Sequence, residues 1–188
     1  MRGTSKFLIL SWLITLACPM TSEGQKQWRL VKAASSVQFQ IEHLFVSTVS
    51  GVFTSFEVTF TSNSDLVLNV MVEAEIEVKS VDTGSSMRDK QLMEEGFFDA
   101  VTFPKITFQS IAFQHLRNNQ YALSGFLTMK GVKKLVKLSV DVNVDEDKTE
   151  FTATTSINRK DYNINAGGST VGESVDIVCH AVFVAKTE

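Results

Sequence analysis

Cysteine is scarce in this sequence: two residues, Cys18 and Cys179. Cys18 falls in an apolar leader, so Cys179 has no partner within the mature chain, and a disulfide scaffold is excluded. Cys179 sits in an apolar run and reads as a small buried hydrophobe. Two prolines and ten glycines exclude long disordered linkers. G-x-S-x-G, H-E-x-x-H and C-x-x-C motifs are all missing. The three histidines, His43, His115 and His180, fall at no metal-ligand spacing. Cys179 and His180 are adjacent in a strand pattern and point to opposite faces, so they cannot act as nucleophile and base. Nothing demands an enzyme, a metal or a cofactor. The net charge is −3 and there is no basic stripe, which excludes nucleic acid as a partner.

An apolar stretch of eleven uncharged residues, Phe7–Ala17, follows Arg2 and Lys6. It is too short to span a bilayer and has the length of a secretory core. Residues 1–24 therefore read as a signal peptide, and residues 25–188 as one domain able to bury a core. Cleavage has two candidate sites. Thr15-Leu16-Ala17 before Cys18 is an imperfect lipoprotein site, with Thr15 where Leu is usual. Ser22-Glu23-Gly24 is the other. The expectation is an exported chain, periplasmic or secreted, with membrane anchoring through Cys18 left open. The oligomeric state is also open, a homodimer included.

Fourteen Phe stand against two Tyr and two Trp. Phe carries no polar handle, so this composition favours an apolar interior. The dominant pattern is strict alternation. Val37, Phe39, Ile41 and His43 share one face of a strand over Ser36–His43. His43 there is either a hydrogen-bonded interior residue or a polar contact for something held inside. Val49, Gly51 and Phe53 alternate, then Phe56, Val58 and Phe60 alternate in the other phase, which implies a bulge or sharp bend. Leu66–Val78 keeps one apolar face throughout, and at roughly 3.3 Å per residue it would reach about 43 Å. Glu73, Glu75 and Glu77 take the opposite, solvated face. Further inward sets are Ile106 and Phe108; Tyr121, Leu123, Gly125, Leu127 and Met129; Val136, Leu138, Val140, Val142 and Val144; Phe151, Ala153, Thr155 and Ile157; and Val175, Ile177, Cys179, Ala181 and Phe183. Short polar turns between them make neighbours antiparallel. About eight strands result, enough to close an all-β antiparallel barrel around a small ligand.

The alternation breaks once. Met87–Glu95 carries helix formers and no β-branched residue, Gly96 ends the helix, and Phe97, Phe98 and Phe103 follow before Pro104 delays the next strand to Lys105. This reads as a short helical lid and an aromatic plug, with the lid covering the second apolar face of the final strand at Val178, Val182 and Val184. Asn163–Ser174 reads as a long mobile rim loop. Its Gly167-Gly168-Ser169-Thr170 lacks the Lys and helix that a phosphate cradle needs. Arg88-Asp89 and Arg159-Lys160-Asp161 read as capping or mouth interactions, with contact to a ligand head group as the alternative.

These pieces, in this order, resemble the YceI-like family of exported lipid-binding barrels over about residues 28–186. The resemblance rests on Ser36-Val37-x-Phe39-x-Ile41-x-His43, Val49-x-Gly51-x-Phe53, Ser80-Val81-x-Thr83 with Met87-Arg88-Asp89-x-x-Leu92, and Phe97-Phe98-Asp99-Ala100. It continues through Phe103-Pro104-x-Ile106-Thr107-Phe108, Gly125-x-Leu127-Thr128-x-Lys130-Gly131-Val132, and Ile157-Asn158-Arg159-x-Asp161-Tyr162. The chain departs from the usual pattern near Asn163, Asn165 and Glu94-Glu95. The resemblance implies an eight-stranded, lipocalin-like antiparallel barrel with a short helical lid. Such a barrel would hold a long-chain amphiphile: a polyisoprenoid, an isoprenoid quinone or a fatty-acid derivative. It implies no catalytic residue. The inward positions expected to contact the chain are Phe39, Ile41, His43, Phe53, Val72, Ile76, Phe108, Leu123, Leu127, Leu138, Val140, Phe151 and Ile177. The alternatives are a packed barrel serving as a stress-response or interaction module, and a lipid- or quinone-linked enzyme.

Overall fold

A computed structural model describes residues 28–44, 46–61, 70–145 and 148–185. The leader with Cys18, and Leu66–Asn69 of the long apolar run, lie outside the described residues. The strands are β1 (Trp28–Leu30), β2 (Ser36–His43), β3 (Ser47–Phe53), β4 (Phe56–Thr61), β5 (Met71–Glu77), β6 (Val81–Asp82), β7 (Lys105–Arg117), β8 (Gln120–Met129), β9 (Val132–Val144), β10 (Lys148–Asn158) and β11 (Val171–Ala185). Among the described residues there is one α-helix, α1 (Ser86–Leu92). All strands join one curled antiparallel sheet in the order β4-β5-β7-β8-β9-β10-β11-β2-β3-β6, with β1 also on β11.

Among the described residues the sheet has 11 strands, more than the eight expected. Two are too short to carry a period: β1 with three residues and β6 with two. The third comes from the phase change after Phe53, which is a corner rather than a bulge. Thr54 N donates to Ser80 O at 3.0 Å and Glu77 N to Ser55 O at 3.0 Å, turning the chain from β3 into β4. Length along the barrel comes from the 13 residues of β7 and of β9 and the 15 of β11. Within the described residues β5 begins only at Met71, and Val78 opens a 3-10 turn. Lys130 and Gly131 both have positive φ, 48° and 74°, the two-residue geometry whose twist suits an antiparallel hairpin.

Two apolar clusters fill the curl. One gathers Val37, Phe53, Val78, Ile106 and Tyr162, with the lid residues Leu92, Met93, Phe97 and Phe98 packed on it. The other gathers Phe60, Leu123, Leu138, Val140, Phe151 and Phe183. Val78 is 1% exposed, and Tyr162 and Phe183 are each 2% exposed. Fully burying an apolar side chain of this size contributes about 1.5–3 kcal/mol. Trp28 of β1 meets Phe60 of β4 edge-on with centroids 5.9 Å apart, bringing the sheet's distant strands together.

The lid lies elsewhere than expected. α1 packs beside β6, not on β11. The 3-10 turn Lys32–Ala34 packs on β11 instead, Ser35 Oγ accepts from Val182 N at 3.0 Å, and Val178 stays exposed. The helix also ends at Leu92, short of Glu95. Tight turns take over, with Phe98 N donating to Leu92 O and Ala100 N to Met93 O, each at 3.0 Å.

Candidate functional site

A cavity of about 230 Å³ runs from the second cluster to the underside of the lid. Its far end touches Phe60, Phe151 and Phe183, and its near end Leu92, Phe97 and Phe98. This volume lies below the roughly 300–1,000 Å³ of a typical small-molecule pocket, yet it touches both clusters. It is therefore a narrow slot.

All the expected contact positions line this cavity except His43 and Val140. Alternation brings the inward residues of β2, β3, β5, β7, β8, β9, β10 and β11 together in one lumen. Val140 points inward but is 3% exposed and packed within the second cluster, so it floors the wall rather than facing the space. His43 is half-buried at the end of β2, opposite Val171, beyond a register shift in β11 between Val171 and Val175. Val171 across the pair lines the cavity, whereas His43 does not.

Gln38, Thr155, His180 and Arg159, which border the cavity, each have a hydrogen-bond partner. Gln38 Nε2 donates to Ser36 Oγ at 3.1 Å, and Thr155 Oγ1 donates to Lys137 O at 3.0 Å. His180 Nδ1 lies 3.2 Å from Thr152 Oγ1. Arg159, 3% exposed, is the most heavily engaged. Its Nε donates to Gly172 O at 2.7 Å, Nη1 to Ile164 O at 2.6 Å and Ala166 O at 2.7 Å, and Nη2 to Val171 O at 3.1 Å and Gly168 O at 3.5 Å. A guanidinium has five N–H donors, and all five are spent on backbone carbonyls. Burial lowers its pKa, and the charge of Glu173 opposes that shift.

This geometry corrects one reading of the rim. Asn163–Ser174 is not a free loop, because its carbonyls converge on Arg159 and β11 already starts at Val171. For the same reason it is no phosphate cradle, which would need N–H groups converging where these carbonyls do. Arg159 holds the loop and has no donor left for a head group.

The lid is held by two sets of contacts. Asp89 Oδ1 accepts from Thr83 N at 2.9 Å and Thr83 Oγ1 at 2.6 Å, while Arg88 Nε and Nη2 donate to Thr83 Oγ1 and O at 2.9 and 3.0 Å. At its other end, Lys130 Nζ donates to Glu95 O at 2.5 Å and Asn163 O at 2.9 Å, and Ala166 N donates to Gly96 O at 3.1 Å. Phe98 then meets Phe53 edge-on at 6.0 Å. Phe103 instead packs over Gly131, whose bare Cα leaves room for its ring.

Cys179 borders the cavity, and burial pushes its thiol up to about 11. The surface it exposes faces this apolar space rather than bulk water. No group of three or more His, Cys, Asp or Glu able to hold a metal occurs among the described residues. Lys130 and Lys137 O carry no local signal as partners, since each is paired through the fold and not through spacing.

Comparison with known proteins agrees with this architecture. Residues 28–183 match the model of the YceI-like domain. A UPF0312 protein of Staphylococcus aureus is 32% identical over 164 residues, covering 80% of this chain and 93% of that protein. The crystal structure of Burkholderia cenocepacia BcnA superposes with a TM-score of 0.77 at 27% identity, covering 82% of this chain and 99% of that one. A polyisoprenoid binding domain from Saccharophagus degradans, implicated in plant cell wall breakdown, shares the fold at a TM-score of 0.69 and 15% identity, covering 86% of this chain and 99% of that one. With the family model matched along nearly all of the described fold, the chain belongs to the YceI-like family.

Proposed function

We propose that this protein binds and carries, or sequesters, a long-chain amphiphile inside its barrel, and that it is not an enzyme. One observation carries the reading: a narrow apolar slot reaching from Phe183 to Phe98, with the bordering Gln38, Thr155, Arg159 and His180 side chains each hydrogen-bonded within the protein. Such a slot suits a thin hydrocarbon and offers no polar partner to a buried head group. The structural relative that is a polyisoprenoid binding domain supports an isoprenoid chain as the ligand class, with an isoprenoid quinone or a fatty-acid derivative in the same physical class. Length matters. Association costs about 4–15 kcal/mol, and each buried CH₂ returns about 0.8 kcal/mol. A chain of about ten carbons barely offsets the cost, so useful affinity needs a longer one. The leader supports export, with the cell envelope as the place of action and Cys18 as a candidate lipid anchor.

The test is organic extraction of natively expressed, purified protein, followed by mass spectrometry of the extract. A stoichiometric long-chain species supports the carrier, and its mass names the chain. An empty extract from folded protein refutes it.

A further inference from the structure

Two glycines on inward strand positions are buried where the alternation calls for an apolar side chain: Gly51 between Val49 and Phe53, and Gly125 between Leu123 and Leu127. In each case a phenylalanine ring occupies the space a side chain would fill. A methyl on Gly51 would lie 2.7 Å from Phe39 Cε1, with Cζ closer still, and 2.9 Å from Thr83 Cγ2. A methyl on Gly125 would lie 2.5 Å from Phe108 Cζ and 2.7 Å from Cε2. Phe39 faces Gly51 directly across the β2–β3 ladder. The two ring–glycine pairs sit on walls separated by β9, β10 and β11, and both rings line the cavity.

A ring whose tip sits against a bare Cα takes part of its depth out of the wall instead of the lumen. We infer that Gly51 and Gly125 are seats for Phe39 and Phe108, and that these seated rings set the bore and so determine which chain cross-section the cavity admits. The inference rests on the lipid-binding reading above and deepens it. With both rings seated, the bore accepts a chain carrying methyl branches, which is wider than a straight one. Unseating a ring narrows the bore and penalises the branched chain first.

Gly51 is the position to test. The three nearest atoms its methyl would meet are all side chain, whereas at Gly125 the backbone carbonyl of Gln109 also lies at 2.5 Å. Ordinary contact begins at 3.4 Å, so Gly51→Ala forces the Phe39 ring back by more than the 0.7 Å separating that distance from 2.7 Å. The ring moves toward the lumen, since the wall is behind it.

The experiment measures the affinities of delipidated protein for a tetraprenyl alcohol and for the straight-chain alcohol of equal carbon number. The quantity read is their ratio. Gly51→Ala is expected to lower the branched-to-straight ratio at least tenfold. Phe39→Leu on the native Gly51 is expected to raise it. The double variant G51A/F39L is expected to return it to the wild-type value or above. A ratio unchanged in Gly51→Ala, or lowered by Phe39→Leu, overturns the inference, and Phe39→Leu keeps the test alive if Gly51→Ala does not fold. Wild-type protein that binds neither alcohol overturns the lipid-binding reading itself, an outcome distinct from binding without the ratio change.

Discussion

Replacing Arg159 by Met should release the rim loop without dismantling the sheet. The guanidinium donates to the carbonyls of Ile164, Ala166, Gly168, Val171 and Gly172. Hydrogen bonds to a charged group are worth about 1.5–3 kcal/mol each, so a plain sum of five would approach the whole stability of a domain. That sum overstates the effect. Gly168 is exposed and its carbonyl rehydrates, whereas Ile164 is 5% exposed and its carbonyl is left without a partner. The expected loss is that of breaking a buried charged network, about 3–5 kcal/mol. For a domain of this size that lowers Tm by roughly 10 °C. Lys in place of Arg keeps the charge but has three donors, so Arg159→Lys should lose about half as much. Denaturant unfolding gives the free energies, and amide hydrogen exchange locates them: faster exchange is expected across residues 163–172 and at the lid, which Ala166 N joins through Gly96 O. A Met variant within about 1 kcal/mol of wild type, or one destabilised with rim exchange unchanged, would refute the anchoring role.

Leu127→Asp puts a carboxylate into the lumen and should abolish lipid co-purification, while Glu75→Ala, which removes only an exposed pair with Lys105, should leave lipid content unchanged; quantifying extracted lipid checks both. Lys130→Met removes the tie from the β8–β9 turn to Glu95 O and Asn163 O and should speed release of bound chain, read as a higher off-rate in a transfer assay to acceptor vesicles. The Cys179 thiol should resist a water-soluble thiol reagent at pH 8 and react fully in denaturant. Its pKa is 9.0 in the open and about 11 in the fold, so between those values the unfolded chain binds fewer protons than the folded one. Stability present below pH 9 is therefore lost toward pH 11, by about 2–3 kcal/mol, and Cys179→Ala should lack that component of the slope in urea titrations.

Alternation made most of the barrel legible because a half-buried strand writes its two faces into the sequence. β2, β8, β10 and β11 fall where Val37 to Ile41, Tyr121 to Met129, Phe151 to Ile157 and Val175 to Phe183 alternate. Trp28–Leu30 and Val81–Asp82 are too short to show a period, and pairing with distant strands creates them. His43 continued the apolar parity of β2 yet does not line the cavity, although Val171 across the ladder does. Likewise Arg159 looked like a charge at the end of an element. Its role needs five carbonyls brought together by tertiary structure, which no local spacing encodes. Whether inward side chains fill a barrel or leave a slot is a matter of packing geometry, and the Phe39–Gly51 pair shows how one missing side chain decides it.

The pairing of Trp28 with Ala185 has a consequence for how the chain is made. β11 holds β10 along one edge, and β2 and β1 along the other. On a ribosome, or during passage through a pore, the amino end is available long before residue 185. β2 and β10 must therefore wait with open hydrogen-bonding edges until the last segment arrives to join them. The barrel closes in one late step that spans nearly the entire chain, which makes folding slow and leaves the incomplete polypeptide sticky. The carboxyl-terminal residues, which contribute so little to the lid or rim, decide when the molecule becomes a container at all.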